Sequence, residues 1–192
     1  MDSKEIGKIL GPMFDMIAAE STVALRELAL PAHAEVLDVG TGGGNSAIYL
    51  ATQNYQVLTG EPATDTSRYA GKDWALNAEK AGVRDRIRFQ AFDAGNMPFA
   101  AQSFDAVFFF GVLHHIDENI RHDVLSEALR VTRKNGAVVF FEPRPEMLEK
   151  IWANNPDHPQ SADPSVYCGG QKVSLRQLQG ALMDIFIFTH AA

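Results

Sequence analysis

A glycine-rich turn between an apolar strand and a helix constrains the fold of this chain most. The segment Glu35–Ser46 reads EVLDVGTGGGNS, an apolar run followed by four glycines. Glycine permits positive φ and lets the backbone approach a ligand closely, and free N–H groups at a helix start favour electron-rich atoms. The spacing from Asp38 to Gly44 matches neither a dinucleotide fingerprint, because Asn45 stands at its last glycine, nor a phosphate loop. The turn therefore predicts a nucleoside site without a pyrophosphate.

Four more segments follow the glycine turn in a fixed order. Glu61 comes after the next strand-like run, FDAGNMPF begins at Phe92, FDAV at Phe104 leads into GVLHHI, and EALRVTRKNGA begins at Glu127. Together the five segments resemble class I S-adenosylmethionine-dependent methyltransferases, in the small-molecule "methyltransferase type 11" branch that includes quinone-biosynthesis enzymes. The resemblance runs from about residue 20 to the C-terminus. It implies S-adenosylmethionine as cofactor, a small-molecule methyl acceptor and an enzyme.

The resemblance also implies roles for three acids at strand ends. Asp38 would fix the glycine turn and the methionine moiety. Glu61 would accept both ribose hydroxyls, with Asp65 as the rival acid, and Asp93 would accept the adenine amino group. Plainer interpretations remain open: a turn cap, an exposed turn residue and an Asx turn, respectively. The expected cofactor-binding residues are Asp38, Gly40, Thr41, Gly42, Gly44, Asn45, Glu61, Asp93, Ala94 and Gly111.

Two histidines after the fourth predicted strand are the candidate catalytic residues. His114 and His115 lie closest to where the resemblance implies the transferred methyl group. An unperturbed imidazole has a pKa of about 6.5 and can act as a general base. In the family such histidines often only shape the pocket, so both roles stay open. His114, His115 and His122 show no clear metal-ligand spacing, so no metal is predicted.

Charge and apolar content narrow the class of protein. The 192 residues fit one domain, with 17 basic and 24 acidic side chains, a net charge of −7 and no long basic run. Nucleic acid is therefore not expected as a substrate, because phosphate contacts normally need clustered Lys and Arg. The one cysteine, Cys168, excludes an intramolecular disulfide. No apolar stretch approaches about 20 residues and no signal-like leader follows Met1, so we expect a cytoplasmic enzyme without a membrane segment.

Strand-like and helix-like segments alternate along the chain. This alternation predicts an α/β fold: a doubly wound, mostly parallel Rossmann-like sheet with helices on both faces. The run at Ala106–Phe110 does not alternate, which predicts a central strand buried on both faces. The other predicted strands are 36–39, 56–59, 87–91 and 137–141, and the predicted helices are 46–53, 64–81 and 118–133.

The two ends of the chain carry additional predictions. Residues 1–30 have helical spacing and would form a cap, and 154–170, rich in Pro and Gly, would form a lid-like loop. The pattern over residues 174–183 predicts a further helix, and the apolar run over 184–189 predicts a final strand. One strand of the family's usual C-terminal antiparallel pair would then be missing. We expect 184–189 to pair with the fifth strand; a homodimer covering that edge is the alternative.

Two further function classes remain as alternatives. A protein with this fold could bind the cofactor without methylating, as a sensor, a partner subunit or an enzyme of another reaction, because fold does not fix function. A methyltransferase acting on nucleic acid or protein is the other alternative. The acidic charge counts against it, and so does the sequence FGVL after the fourth strand, which replaces an Asn/Asp-Pro-Pro-Tyr-type motif.

Overall fold

A seven-stranded sheet forms the centre of the computed structural model, which describes residues 1–191. The strand order is β3-β2-β1-β4-β5-β7-β6. The first five strands are parallel, and β7 is antiparallel to both of its neighbours. The strands are β1 Glu35–Val39, β2 Gln56–Gly60, β3 Ile87–Phe89, β4 Phe104–Phe110, β5 Thr132–Pro143, β6 Val173–Gln179 and β7 Met183–His190. The prediction of a mostly parallel Rossmann-like sheet is confirmed.

Helices cover both faces of the sheet. They are α1 Ser3–Leu10, α2 Pro12–Leu25, α3 Asn45–Thr52, α4 Trp74–Lys80, α5 Arg121–Val131 and α6 Pro145–Trp152. Successive side chains of β4 enter opposite cores: Phe108 packs with α3 residues such as Ile48, whereas Phe109 packs with α5 residues such as Leu125. Side chains alternate across a strand, so an unbroken apolar run must be buried on both faces. The prediction of a central, doubly buried strand is thus confirmed.

The C-terminal part of the sheet differs from the prediction. Residues 173–179 form strand β6 rather than a helix, and β6 pairs with β7 in an antiparallel hairpin. The predicted absence of one strand of the C-terminal pair is therefore wrong. Leu, Arg and Gln in β6 are good helix formers, but β7 offers a full ladder of backbone partners. The turn is closed by the Gly180 N–H, which donates to the Met183 carbonyl at 2.9 Å.

Strand β7 lies beside β5, as expected for the last apolar segment. Its residues pair along the strand, for example Ile187 with Val139 and Phe186 with Phe140. The expected self-pairing is confirmed. The argument for a homodimer rested on an uncovered β5 edge, and β7 removes that premise.

The predicted helix over 64–81 is wrong in its first half. The helix starts only at Trp74, after Asp73, whose carboxylate caps it by accepting the Leu76 N–H. The preceding residues form turns, since Asp65 accepts the Ser67 N–H and Gly71 adopts a φ of +65°. Side-chain acceptors thus compete with helix formation in this segment.

The observed bounds of α5 differ from the predicted ones at both ends. The helix predicted over 118–133 is α5, Arg121–Val131, preceded by a 3-10 turn at Glu118–Ile120. Residues 154–170 have no regular element except a 3-10 turn at Pro164–Tyr167. No helix among residues 1–191 has the length and apolarity needed to cross a bilayer.

Candidate functional site

A cavity of about 760 Å³ opens at the carboxyl ends of the parallel strands. Its walls come from the glycine turn after β1, the segment 60–72 after β2, residues 92–94 after β3 and residues 110–117 after β4. Apolar side chains of α2 and α6 complete it, among them Met16, Ile17, Met147 and Ile151. Ligands of open α/β sheets bind at this end of the strands, so the cavity is the candidate site.

The glycine turn is shaped by close backbone approach. Gly40 has a φ of +88°, and a Cβ built there would lie 2.6 Å from Cγ2 of Val112. Gly44, at φ +81°, is the N-cap of α3, and a Cβ would lie 2.9 Å from Cβ of Trp74. A side chain at either glycine would collide with its neighbour. Of the predicted turn residues, Gly40, Thr41, Gly42 and Asn45 line the cavity, whereas Gly44 does not.

Asp38 is buried beneath the turn and does not line the cavity. Its Oδ2 accepts the Thr59 hydroxyl at 2.8 Å, and Thr59 in turn lies 3.0 Å from the Thr41 hydroxyl. The other oxygen, Oδ1, has no hydrogen bond among the described residues. Burial raises the pKa of Asp38 to about 6, against the opposing effects of the Ser46 and Thr59 hydroxyls. Asp38 thus acts on the turn through two threonines.

Glu61 joins the glycine turn to the segment after β2. Its carboxylate accepts the Gly42 N–H and the Gly71 N–H, both at 2.9 Å. The side chain lines the cavity, as does the rival acid Asp65. An ionised carboxylate has about four acceptor positions, so Glu61 keeps capacity for ligand hydroxyls.

Asp93 forms the Asx turn that the sequence left open as one interpretation, and its proposed adenine contact stays a prediction. Its Oδ1 accepts the Gly95 N–H at 2.7 Å, which is an Asx turn. Asp93 and Ala94 also both line the cavity. The Asx bond fixes the carboxylate, and the cavity wall is formed by the same residue.

The turn that carries Asp93 is held by an ion pair that the sequence did not assign to the site. Arg130 bonds the Glu127 carboxylate at 2.6 and 2.7 Å, and the Met97 and Phe99 carbonyls at 3.0 and 2.8 Å. Glu127 also accepts the Met97 N–H at 2.8 Å. The Arg130 hydrogen bond holds the pKa of Glu127 below its usual value. Both lie in the EALR segment on which the family resemblance partly rested.

His114 is tied to a buried acid that the sequence analysis missed. Its Nδ1 lies 2.8 Å from Oε2 of Glu142, and both side chains are almost fully buried. The same oxygen accepts the Ala162 N–H at 2.9 Å, and the other oxygen has no partner among the described residues. The available signal was an acid at the carboxyl end of an apolar strand, in FFEP.

A third histidine, His158, joins the predicted pair. Ring centroids are 4.3 Å apart for His114 and His115, 5.0 Å for His114 and His158, and 4.9 Å for His115 and His158. Burial, followed by the two neighbouring imidazoles, lowers the pKa of His115 to about 4, and burial also lowers the pKa of His158. All three line the cavity beside Gly111. We call them the histidine cluster.

The segments after β2 and after α6 meet near the histidine cluster. Asn155 donates from Nδ2 to the Tyr69 hydroxyl at 3.2 Å. The Tyr69 ring lies 4.9 Å from that of His115. His122 lies outside the cluster: it is exposed, and its Nε2 is 3.1 Å from the Gly169 carbonyl.

Comparison with known proteins identifies the family. A family described as "Methyltransferase domain" matches residues 37–140, more than half of the chain. The chain belongs to this family. The match covers the glycine turn, Glu61, Asp93 and both predicted histidines, so the resemblance inferred from the sequence is confirmed.

Relatives of this methyltransferase domain act on different molecules. It is 35% identical over 126 residues to 27-O-demethylrifamycin SV methyltransferase of Amycolatopsis mediterranei, covering 64% of this chain and 44% of that protein. It is 30% identical over 126 residues to the ubiquinone/menaquinone biosynthesis C-methyltransferase UbiE of Desulfotalea psychrophila, covering 64% and 46%. The chain thus spans less than half the length of these two relatives.

The methyltransferase domain also resembles solved structures. Geranyl diphosphate C-methyltransferase from Streptomyces coelicolor, solved with Mg²⁺, geranyl diphosphate and S-adenosyl-L-homocysteine, superposes with a TM-score of 0.65. Identity is 14%, and the superposition covers 91% of this chain and 79% of that one. At this identity the likeness concerns the fold.

Proposed function

We propose that this methyltransferase domain binds S-adenosylmethionine and transfers its methyl group to a small-molecule acceptor. One observation carries the proposal: a single cavity brings together the glycine turn, Glu61, Asp93 and the histidine cluster at the carboxyl ends of the strands. Membership of the methyltransferase family supports the reaction class.

The residues present fit this cofactor. Glu61, held by Gly42 and Gly71, would accept the ribose hydroxyls at its remaining positions. Asp93, fixed by its Asx turn, would accept the adenine amino group through its other oxygen. Backbone N–H groups at the start of α3 suit the carboxylate of the methionine moiety. When bound, S-adenosylmethionine supplies the activated methyl group.

The apolar side of the cavity suits the acceptor. Met16 and Ile17 of α2 face the site together with Met147 and Ile151 of α6. These side chains would bind an apolar body and exclude water from the reacting atoms. The N-terminal helices and the 154–170 loop would cover this site, and Asn155 of that loop donates a hydrogen bond to Tyr69 of the cavity wall.

The histidine cluster holds the groups available for proton transfer. A general base works best with a pKa near the operating pH, and His115, with a pKa of about 4, is poorly suited. His114 is better placed, because Glu142 orients its ring and would stabilise an imidazolium. Of the two predicted catalytic histidines, we therefore propose His114 as the general base.

The acceptor class is proposed from the relatives. Their names describe O-methylation of a rifamycin and C-methylation in quinone biosynthesis, both on small organic molecules. The competing interpretation, cofactor binding without methylation, has no support from the relatives named above. We leave the atom methylated to the experiment.

Calorimetry with S-adenosylmethionine and S-adenosylhomocysteine tests the cofactor part. We expect one-to-one binding of both. A methyl-labelled cofactor, incubated with the protein and a small-metabolite extract, should then label a low-molecular-mass product. Binding without any labelled product would favour the non-methylating alternative, and binding of NAD instead of both compounds would refute the proposal.

A further inference from the structure

Three imidazoles from two distant parts of the chain meet at one wall of the cavity. His114 and His115 lie in the turn after β4, and His158 lies in the loop after α6. One nitrogen atom from each of the three rings lies within 4.8 Å of the other two. We propose that this histidine cluster binds a divalent first-row transition-metal ion, with Zn²⁺ as the reference ion.

Two of the three histidines make the outer hydrogen bonds expected of metal ligands. Nδ1 of His158 lies 2.9 Å from the Pro159 carbonyl. A carbonyl can only accept, so Nδ1 carries the proton and Nε2 keeps its lone pair. Nδ1 of His114 faces the Glu142 carboxylate at 2.8 Å with the same consequence. Metal-binding histidines almost always donate their second N–H to a carboxylate or a backbone carbonyl.

Glu142 gives a second, independent reason for a cation. Its side chain is 2% exposed, and Oε1 has no hydrogen-bond partner among the described residues. A buried carboxylate is unfavourable unless opposite charge or hydrogen bonds compensate it. A divalent ion on the His114 ring would place positive charge on the far side of the imidazole from Glu142. The ion would then compensate the charge of the buried carboxylate.

The geometry suits a three-histidine site with an open position. Zn–N bonds of 2.0–2.1 Å in a tetrahedron place the nitrogens about 3.3 Å apart. The three nitrogens must therefore approach by roughly 1.5 Å at most, and His115, the exposed member of the cluster, would make most of that movement. All three histidines line the cavity, so the fourth position would be open to it. An oxygen ligand, from water or from the acceptor, would fill that position; the acceptor part rests on the proposed function.

A ligand role and a base role for His114 exclude each other, because both use the Nε2 lone pair. If the ion binds, the imidazoles hold it, and the oxygen ligand is activated by the metal rather than by a free imidazole. The metal titration therefore also shows whether His114 acts as a metal ligand or is available as a general base.

The test is metal titration of the purified, chelator-treated full chain. We expect one equivalent of Zn²⁺ by calorimetry, and a tetrahedral Co²⁺ absorption spectrum. His115→Ala and His158→Gln should each weaken Zn²⁺ binding at least tenfold, and Glu142→Gln by roughly 10–100-fold. His122→Ala is the matched control: it removes an exposed histidine outside the cluster and should bind Zn²⁺ as the unaltered protein does.

Circular dichroism and thermal melting show whether each variant is folded, and His115→Ala, at an exposed position, keeps the test valid if a buried variant unfolds. Equal Zn²⁺ affinity in folded His115→Ala and His158→Gln overturns the proposal, as does loss of binding in His122→Ala. Glu61→Ala should retain Zn²⁺ binding while losing cofactor affinity. Failure of the metal site and failure of the cofactor site are thereby distinguished.

Discussion

Glu61 accepts the backbone N–H of Gly42 at 2.9 Å, so the acid that we propose binds the ribose also holds the glycine turn. Its second oxygen holds Gly71 at the same distance. The two loops that border the cavity are therefore joined by one side chain. Altering Glu61 would therefore act on the proposed ribose contact and on the shape of the glycine turn at once.

Glu61→Ala should weaken S-adenosylmethionine binding by about 1.5–3 kcal/mol, because hydrogen bonds to a charged group are lost. Calorimetry measures this change. Glu61→Gln keeps the shape of the side chain but not its charge. Its affinity for S-adenosylmethionine should therefore lie between those of the unaltered protein and of Glu61→Ala. Asp65→Ala is the comparison for the rival acid: a larger loss there than in Glu61→Ala would move the ribose contact to Asp65.

Asp38→Asn should change how stability depends on pH. Burial raises the folded-state pKa of Asp38 to about 6 from 3.8, so the folded protein binds this proton more tightly than the unfolded chain. Protonation of Asp38 stabilises the folded state fully below the ordinary pKa of an aspartate. This stabilisation is lost as pH rises through about 6. The difference of about two between the folded-state pKa and the ordinary pKa corresponds to about 3 kcal/mol of unfolding free energy.

Urea unfolding at several pH values checks this expectation. The unfolding free energy of the unaltered protein, relative to that of Asp38→Asn, should fall by an amount of this order between pH 4 and pH 7. A difference that stays constant over this range would show that the buried carboxylate does not titrate as described.

Arg130→Gln should loosen the turn that carries Asp93. The substitution removes the bonds to Glu127 and to the Met97 and Phe99 carbonyls. We expect a stability loss of about 1 kcal/mol, since the pair is partly exposed, together with weaker cofactor binding. Lys134→Gln, at an exposed position on β5, is the control. Unchanged cofactor affinity in Arg130→Gln would show that the ion pair between Arg130 and Glu127 does not support the cofactor site.

The same pair predicts a pH effect of opposite sign to that of Asp38. The Arg130 bond lowers the pKa of Glu127, so its contribution to stability is present above the ordinary pKa of a glutamate. It is lost as pH falls through the lowered folded pKa. Acid unfolding followed by circular dichroism should therefore be less steep in Arg130→Gln. An identical acid transition would contradict this.

His115→Ala distinguishes chemistry from pocket shape. Because its pKa is lowered to about 4, we expect acceptor KM to change more than kcat. A fall in kcat of roughly a hundredfold with unchanged cofactor affinity, measured relative to chelator-treated unaltered protein with no metal added, would instead identify His115 as the general base. Steady-state kinetics with the labelled acceptor, once found, provide both constants.

The sequence predicted the parts of this protein that depend on local pattern. The glycine turn, the alternation of strands and helices and the doubly buried β4 all follow from spacing and apolarity. The helix predicted over 174–183 was wrong because a single strand carries no sign of its partner: only β7 makes β6 a strand. Turn residues around Gly71 likewise depend on Glu61, ten positions away.

The site was predictable where a strand end positions a residue and not where a loop folds back. Glu61 and Asp93 follow strands, so topology brings them together. His158 lies 43 positions beyond His115, in a segment without regular structure, and reaches the cluster only because Trp152 and Pro159 fix its backbone and ring. Glu142 was hidden for another reason: it lies in a strand whose neighbours are apolar, and its role depends on His114.

The position of β7 between β5 and β6 determines when this protein can finish folding during synthesis. A nascent chain that has left the ribosome only up to Gln179 has β6 but no neighbour for it, because β6 contacts the sheet through β7. Met183, the first residue of β7, also forms part of the cavity wall. The strands that carry the glycine turn can assemble early, whereas the binding cavity is complete only after residues 183–190 have emerged. The ribosome must therefore synthesise this hairpin before the wall of the cavity is complete.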